Sequence, residues 1–342
     1  MADNDSRAGN RQGRRPTMAD VAAKAGVSRA LVSLVFREAP GASEQTRERV
    51  YEVAREIGYR PDTAARNLAS KSTKTLGVML TIRNPFHCDL VEACYAEADA
   101  LGYDIVLSTT VPTRDEERAV DALLDHRCEA LILFGPKTSR EYLIQLSEAH
   151  PVVTVSRKVP QAPLDMVHTA EGKGVRQAIA YLVEQGHHAV VHIDGGSGPG
   201  SADRRRAYRA AMRKHGLAEH TRVIPGDHTE DSGMRAAEVL RAENDLPTAI
   251  LAANDRCALG LLDSLYKAGV KVPQEVSVVG YDDSRVAMLS HIGLTTVHQD
   301  AEGLGRQAVR AAVERAESPG LPAREFVLDP ELRVRGTSGP PR

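Results

Sequence analysis

The chain has 342 residues, more than one ordinary domain needs, and its 42% hydrophobic, 26% charged composition is that of globular structure. No apolar run approaches the roughly 20 residues that carry a helix across a bilayer, so a helical membrane span is excluded. The net charge of -2 hides an asymmetry: through Lys74 there are fourteen Lys and Arg against nine Asp and Glu, about +5, leaving about -7 for the remainder.

Residues 1–16, MADNDSRAGNRQGRRP, are polar and basic without the apolar centre of a signal peptide, and are expected to form a disordered tail on a cytoplasmic protein. In TMADVAAKAGVSRALVSLVF, residues 17–36, Thr17 caps a helix with Asp20 three residues on. Val21, Ala22 and Ala25 keep helical spacing until Gly26 permits a tight turn. Ser28 caps a second helix whose Leu31, Val32 and Val35 face the first, giving helix, short turn, helix. Ser43 caps a third, with Val50, Val53, Ala54 and Ile57 on one stripe and Gly58 as its stop. The segment 59–69, YRPDTAARNLA, is basic and too short to bury a core. A basic first fifth of this form suits a nucleic-acid module joined to an acidic body.

From Thr75 the pattern alternates between short apolar runs and helical segments. LGVML (76–80), DIVLS (104–108), ALILF (130–134) and VVTVS (152–156) read as strands, with helices over 89–101, 114–125 and 141–149. The pattern then begins again. Helices are predicted over 174–185, 203–215 and 255–268, and strands at AVVHI (189–193), TAILAAN (248–254) and VSVVGYD (276–282). Two doubly wound parallel sheets in series place a cleft between them, with ligands at the carboxyl ends of the strands. Those ends carry Asn84, Ser156, Arg157, Asn254, Asp255, Asp282 and Asp283. Strand-end Asn and Asp also serve plain turns and caps, but their convergence from both halves favours a binding cleft.

The DVAAKAGVSRALVSLVF stretch, NDRCALGLLDSLYKAGVKVPQEVSVVGYDD and LTTVHQD, in that order, resemble the LacI-type (lactose-repressor) family of bacterial transcription regulators over 17–335. The resemblance implies an α/β protein: a small all-α helix-turn-helix DNA-binding domain (17–60), a hinge helix or linker (61–74), and a two-lobed periplasmic-binding-protein-like core (75–335). Its lobes would be 75–169 with 299–327, and 170–298 with 328–335, leaving 336–342 as a flexible tail. The function implied is a sequence-specific DNA-binding repressor controlled by a small effector, a sugar or related metabolite, with a nucleobase-like or anionic corepressor as the alternative.

For DNA contact the resemblance implies that the second helix lies in the major groove, with Thr17 and Ser28 near phosphates and Arg29, Ala30, Ser33 and Leu34 toward the bases. Arg29 is the candidate for bidentate recognition of guanine, and Ala30 offers at most a methyl. Leu34 departs from the Arg common at its position, which removes a donor. Arg66, Asn67 and Leu68 match the hinge segment, and the family's Leu wedges into the minor groove beside its symmetry mate.

Effector contacts carry over to Asn84, Phe86, His87, Ser156, Arg157, Arg204, His228, Asn254, Asp255, Asp282 and Gln299. Of these, Arg204 holds the ligand and Asp255 accepts its hydroxyls. The chain has Ser156 where sugar-binding members often have Asp, Ala170 where an Asp usually opens the next segment, and His87 and His228 at often aromatic positions. Fewer carboxylates beside two histidines and Arg204 suit a partly anionic or smaller ligand, while both histidines are equally open to a plain surface reading. The expected partners are palindromic operator DNA, the effector and a second copy of the chain, with no cofactor, no metal and no membrane.

Cys88, Cys94, Cys128 and Cys257 form no CxxC pair, and no zinc spacing is present; buried or half-buried thiols are expected. An enzyme is the competing class. Gly195-Gly196-Ser197-Gly198-Pro199-Gly200 sits where a phosphate loop would, yet it lacks GK[ST] and a clean GxGxxG, and reads better as a loop over the cleft. His187-His188 closes a helix with no third ligand, and no GxSxG elbow appears. A secreted solute-binding protein would share the core but not the first 60 residues.

Overall fold

The computed structural model describes residues 16–60, 72–243 and 246–341, and the chain divides into two units, Met1–Thr73 and Lys74–Arg342. Residues 1–15 and the hinge positions Arg66, Asn67 and Leu68 lie outside the described residues.

The first unit contains α1 (Met18–Ala25), α2 (Arg29–Phe36) and α3 (Glu44–Glu56). Thr17 donates its N–H and hydroxyl to Asp20 at 2.7 and 2.6 Å, and Gly26 ends α1 at φ 66°. The hydroxyl of Ser28 accepts from the Leu31 N–H at 3.1 Å, and that of Ser43 from Thr46 at 3.3 Å. Val21, Ala25, Val32, Val35 and Val50 are fully buried together, while Leu31 is only half-buried. Phe36 closes the bundle between the Tyr51 and Tyr59 rings, each 5.6 Å away.

The second unit holds two six-stranded sheets. In the first lobe β1 (Thr75–Thr81), β2 (Asp104–Thr110), β3 (Ala130–Phe134), β4 (Val152–Val155), β5 (Asp165–Thr169) and β11 (Glu325–Leu328) lie in the order β11-β5-β4-β3-β1-β2. Every pair is parallel. Helices α4 (Pro85–Leu101), α5 (Glu116–Asp125), α6 (Arg140–Ala149) and α11 (Ala301–Glu317) cover it. Parallel strands buried on both faces read as unbroken apolar runs, as β1 and β3 do.

The second lobe orders β12 (Glu331–Arg333), β10 (Thr295–His298), β9 (Ser277–Asp282), β8 (Ala249–Leu251), β6 (Val190–Ile193) and β7 (Arg222–Ile224). Only β12 runs antiparallel there. Its helices are α7 (Glu171–Glu184), α8 (Ser201–Lys214), α9 (Glu230–Ala242) and α10 (Asp255–Lys267). The chain changes sheet after β5, after β10 and between β11 and β12, so Thr169 and Gln299 stand at crossings between the lobes.

Several expectations change. The segments β5, β7, β11, β12, α9 and α11 carry no strong run in the sequence and emerge only in the fold. The 336–342 tail is not loose over its described part: Val278 donates its N–H to Thr337 O at 2.7 Å, the Thr337 hydroxyl donates to Val278 O at 2.8 Å, and Ser338 is buried with it. Cys94, Cys128 and Cys257 are buried, but Cys88 is exposed. No described helix is long and apolar enough to cross a membrane, and the described residues contain no metal-binding group of His, Cys, Asp or Glu.

Candidate functional site

The carboxyl ends of the two sheets face each other across a cleft with about 360 Å³ free of atoms, part of it continuous with solvent. Asn84, Phe86, His87, Gly135 and Ser156 of the first lobe line it, opposite Pro199, Arg204, His228, Asn254 and Asp282 of the second, with Gln299 at the crossing. Ser156, His228 and Asp282 hold φ of 61, 65 and 122°, a left-handed backbone that costs energy for side-chain-bearing residues and collects at binding sites.

Each lining group is held by its neighbours. Asn84 caps α4 by accepting from the Phe86 N–H at 3.2 Å. The Thr81 N–H donates to Nδ1 of His87 at 3.3 Å, which places the ring proton on Nε2. Burial holds the His87 pKa down at about 4, so this ring is a neutral donor rather than a cation. Burial, then the charges of Arg204 and Lys137, lower His228 to about 3, and its Nε2 lies 3.0 Å from the Ser201 hydroxyl. The glycine loop makes room for it: a Cβ on Gly195 would stand 2.0 Å from His228 Nε2, and one on Gly198 2.6 Å from Nδ1. Gly195 and Gly198 are therefore a bed for an imidazole.

Gln299 bridges the lobes. Its Oε1 accepts from the Thr169 hydroxyl at 2.6 Å and its Nε2 donates to Asp282 at 2.7 Å. Asp282 and Asp255 are both raised above the ordinary carboxylate range by burial. The Arg204 guanidinium carbon lies over the Tyr281 ring, 3.6 Å from its centre, and Nε donates to Glu171 at 2.7 Å.

Two of the expected effector residues are not on the cleft surface. Asp255 opens α10 but turns inward, Oδ1 accepting from Thr296 at 2.5 Å and Oδ2 from the Ser284 N–H and hydroxyl at 2.7 and 2.9 Å. Three of the four lone-pair positions of this fully buried carboxylate are taken by these donors, so its contacts hold the 282–284 turn. Arg157 is drawn to Pro136 O at 2.7 Å and leaves the wall to Ser156. His87 and His228 are wall residues rather than surface ones. Gly135 and Pro199 were missed because neither carries a polar group, and Glu171 because its partner lies 33 residues away. Ala170 precedes α7 without a side-chain cap.

In the first unit, Ser28, Arg29 and Ala30 are exposed at the start of α2, where a helix presents itself to a groove. Ser33, Leu34 and Thr17 are half-buried. Leu34 leans on the turn that follows, its Cδ1 3.2 Å from where a Cβ on Gly41 would be. It is partly a packing residue, which leaves less of it free for a base.

A helix-turn-helix unit on a chain whose core closes a polar cleft between two crossed-over lobes defines an allosteric DNA-binding regulator. Residues 17–62 match the model of bacterial regulatory proteins of the lacI family, and 179–338 that of the periplasmic binding protein-like domain. The ribose operon repressor of Escherichia coli K12 is 32% identical over 331 residues, covering 94% of this chain and 99% of the relative. The transcriptional repressor PurR of Vibrio campbellii is 30% identical over 328 residues, with coverage of 94% and 98%. Among solved structures, the lac repressor dimer bound to operator and an anti-inducer aligns with TM-score 0.82 at 28% identity, covering 95% of this chain and 99% of that one. A LacI regulator from a Rhodococcus species gives 0.76 at 41% identity, covering 78% and 100%. The chain belongs to the LacI family of bacterial transcriptional regulators.

Proposed function

We propose that the protein is a cytoplasmic, dimeric, non-enzymatic repressor that binds a palindromic operator through α2, and whose DNA affinity is set by an uncharged, hydroxyl-rich metabolite of sugar type held between the lobes. The observation that carries this reading is the cleft wall itself: donors and acceptors from Asn84, His87, Ser156, Asn254 and Gln299, with the carboxyl of Asp282 that burial favours in its neutral form, surround one arginine. Such a wall suits hydroxyl groups, each able to donate and accept. A ligand touching both lobes favours one closure angle, and the DNA-competent arrangement then gains or loses affinity by the difference in ligand binding, typically about 1–3 kcal/mol.

The named relatives and neighbours support this range: a ribose operon repressor, a regulator solved with cellobiose and a lac repressor solved on its operator. The anionic alternative has less support, because Arg204 is already paired. The test is selection of random duplex DNA on the purified chain at fixed salt, followed by a screen of sugars and nucleobases for compounds that change retention of the selected duplex. An enriched palindrome released or strengthened by a sugar is expected. No enrichment with a folded protein, with or without the compounds, would remove the regulator reading.

A further inference from the structure

The walls of the cleft contain an ion pair that is itself buried. Glu171 and Arg204 are each 5% exposed, and the carboxylate grips the guanidinium at two points, Nε to Oε2 at 2.7 Å and NH2 to Oε1 at 3.3 Å. NH1 donates to Ala253 O at 2.6 Å, while one face is covered by Tyr281. Three of the five guanidinium N–H groups are thus committed, and so is the charge. Glu171 is the first residue of α7, where the helix dipole favours an anion.

Room for this carboxylate is built in. Gly200, at φ 74°, sits so close that a Cβ there would lie 2.6 Å from Glu171 Oε1. A side chain at 200 would force the Glu171 carboxylate to shift and would strain the backbone there. The remaining charges do not restore a positive surplus. His87 and His228 are held neutral, Lys158 is paired with Asp203, and Lys137 near the two histidines is exposed to solvent and screened.

We propose that Glu171 is the residue that sets charge selectivity in this cleft: by occupying Arg204 it admits uncharged ligands and rejects phosphorylated or carboxylated ones. This deepens the reading of the cleft as an effector site and rests on it. An incoming phosphate could reach Arg204 only by displacing Glu171 or by sharing the guanidinium with it, two anions on one cation in a dry pocket. A neutral hydroxyl meets no such conflict and accepts from the N–H groups that remain.

The test uses inorganic phosphate, with ribose and ribose 5-phosphate as a matched neutral and anionic pair, titrated calorimetrically into the full chain against chloride of equal ionic strength. Wild-type protein is expected to show no saturable phosphate binding below about 10 mM. Glu171→Gln is expected to bind phosphate and ribose 5-phosphate at least about tenfold more tightly, and the gain is lost again when Arg204→Gln is added. A folded Glu171→Gln without that gain overturns the proposal. So does saturable phosphate binding by the wild type that Arg204→Gln abolishes, a result readable even if Glu171→Gln and its shorter substitute Glu171→Asn both fail to fold. Because phosphate needs neither the natural effector nor an operator, the outcome is independent of DNA selection. A chain that selects no DNA but gains phosphate in the variant loses the regulator reading and keeps this one.

Discussion

Gly135 of the first lobe and Pro199 of the second meet across the cleft, so closely that a Cβ on Gly135 would lie 2.6 Å from Pro199 Cγ. The lobes can close this far only because residue 135 has no side chain. Gly135→Ala is therefore expected to weaken binding of the effector by about tenfold or more, roughly 1.4 kcal/mol. Gly135 also holds φ 52°, so backbone strain must be separated from the contact. Gly102→Ala is the control, with φ 72° and open space around it. Both variants should lose about 1–2 kcal/mol of stability, and only Gly135→Ala should lose ligand affinity in calorimetry. Equal ligand affinity in the two would remove Gly135 from the closing contact.

Arg29, exposed at the first turn of α2, is expected to read a base. Arg29→Ala should cost about 1–3 kcal/mol on the selected operator and relax preference at one base pair, measured by titration of single-substituted duplexes. The same loss on every duplex would reassign it to a phosphate.

Asp255 holds three hydrogen bonds from Thr296 and Ser284 in a fully buried position. Asp255→Ala strands those donors and is expected to lower core stability by about 2–4 kcal/mol. The effector response should be lost while operator affinity stays within a factor of about three, roughly 0.7 kcal/mol. A normal response in a retention assay would show that the 282–284 turn needs no such anchor.

His192 is buried on β6 against Tyr208, its Nδ1 3.0 Å from Leu251 O, and burial holds its pKa at about 4. The unfolded chain takes up this proton first as the pH falls, so stability is lost between about pH 6.5 and pH 4. From pH 7 to pH 5 the loss for one such histidine is about 2 kcal/mol. Asp282 and Asp255, raised by burial, act in the opposite sense and cost stability as the pH rises above the ordinary carboxylate range. His192→Asn keeps the donor to Leu251 but cannot titrate. Its stability relative to wild type should improve by about 2 kcal/mol between pH 7 and pH 5, read by denaturant titration at each pH. A constant difference would mean that His192 is protonated in the folded chain.

The C-terminal strap should be structural. Thr337 is 2% exposed, and its hydroxyl donates to Val278 O at 2.8 Å while accepting from the Thr295 N–H at 2.9 Å. Thr337→Val removes both and is expected to cost about 1–3 kcal/mol. Deletion from Gly336 onward should lower the melting temperature of the core further, measured by calorimetry. An unchanged melting temperature would return this segment to a loose tail.

Much of this was legible before folding. The caps at Thr17, Ser28 and Ser43 announce their helices, because a cap is a contact three residues long. The strands at 76–80, 130–134 and 152–156 announce themselves because parallel strands are apolar on both faces. Polar residues at strand ends pointed to a cleft, since a wound sheet leaves its carboxyl ends uncovered. β7 and β12, three residues each and partly exposed, carry too little apolar pattern to be seen.

The sequence by itself determined the order of elements, the two-module plan and which residue types collect at the strand ends, because these follow from periodicity and caps within a few residues. Tertiary structure alone decided which of those residues meet. Asp255 and Asp282 look alike at their strand ends, yet one is turned inward by Thr296, 41 residues away, while the other faces the cleft. Glu171 gained its place only because the chain crosses between lobes and brings the start of α7 beside Arg204. Spacing along a chain fixes a face of a helix or strand, but the partner of a buried charge is fixed by topology and by the space a glycine leaves free.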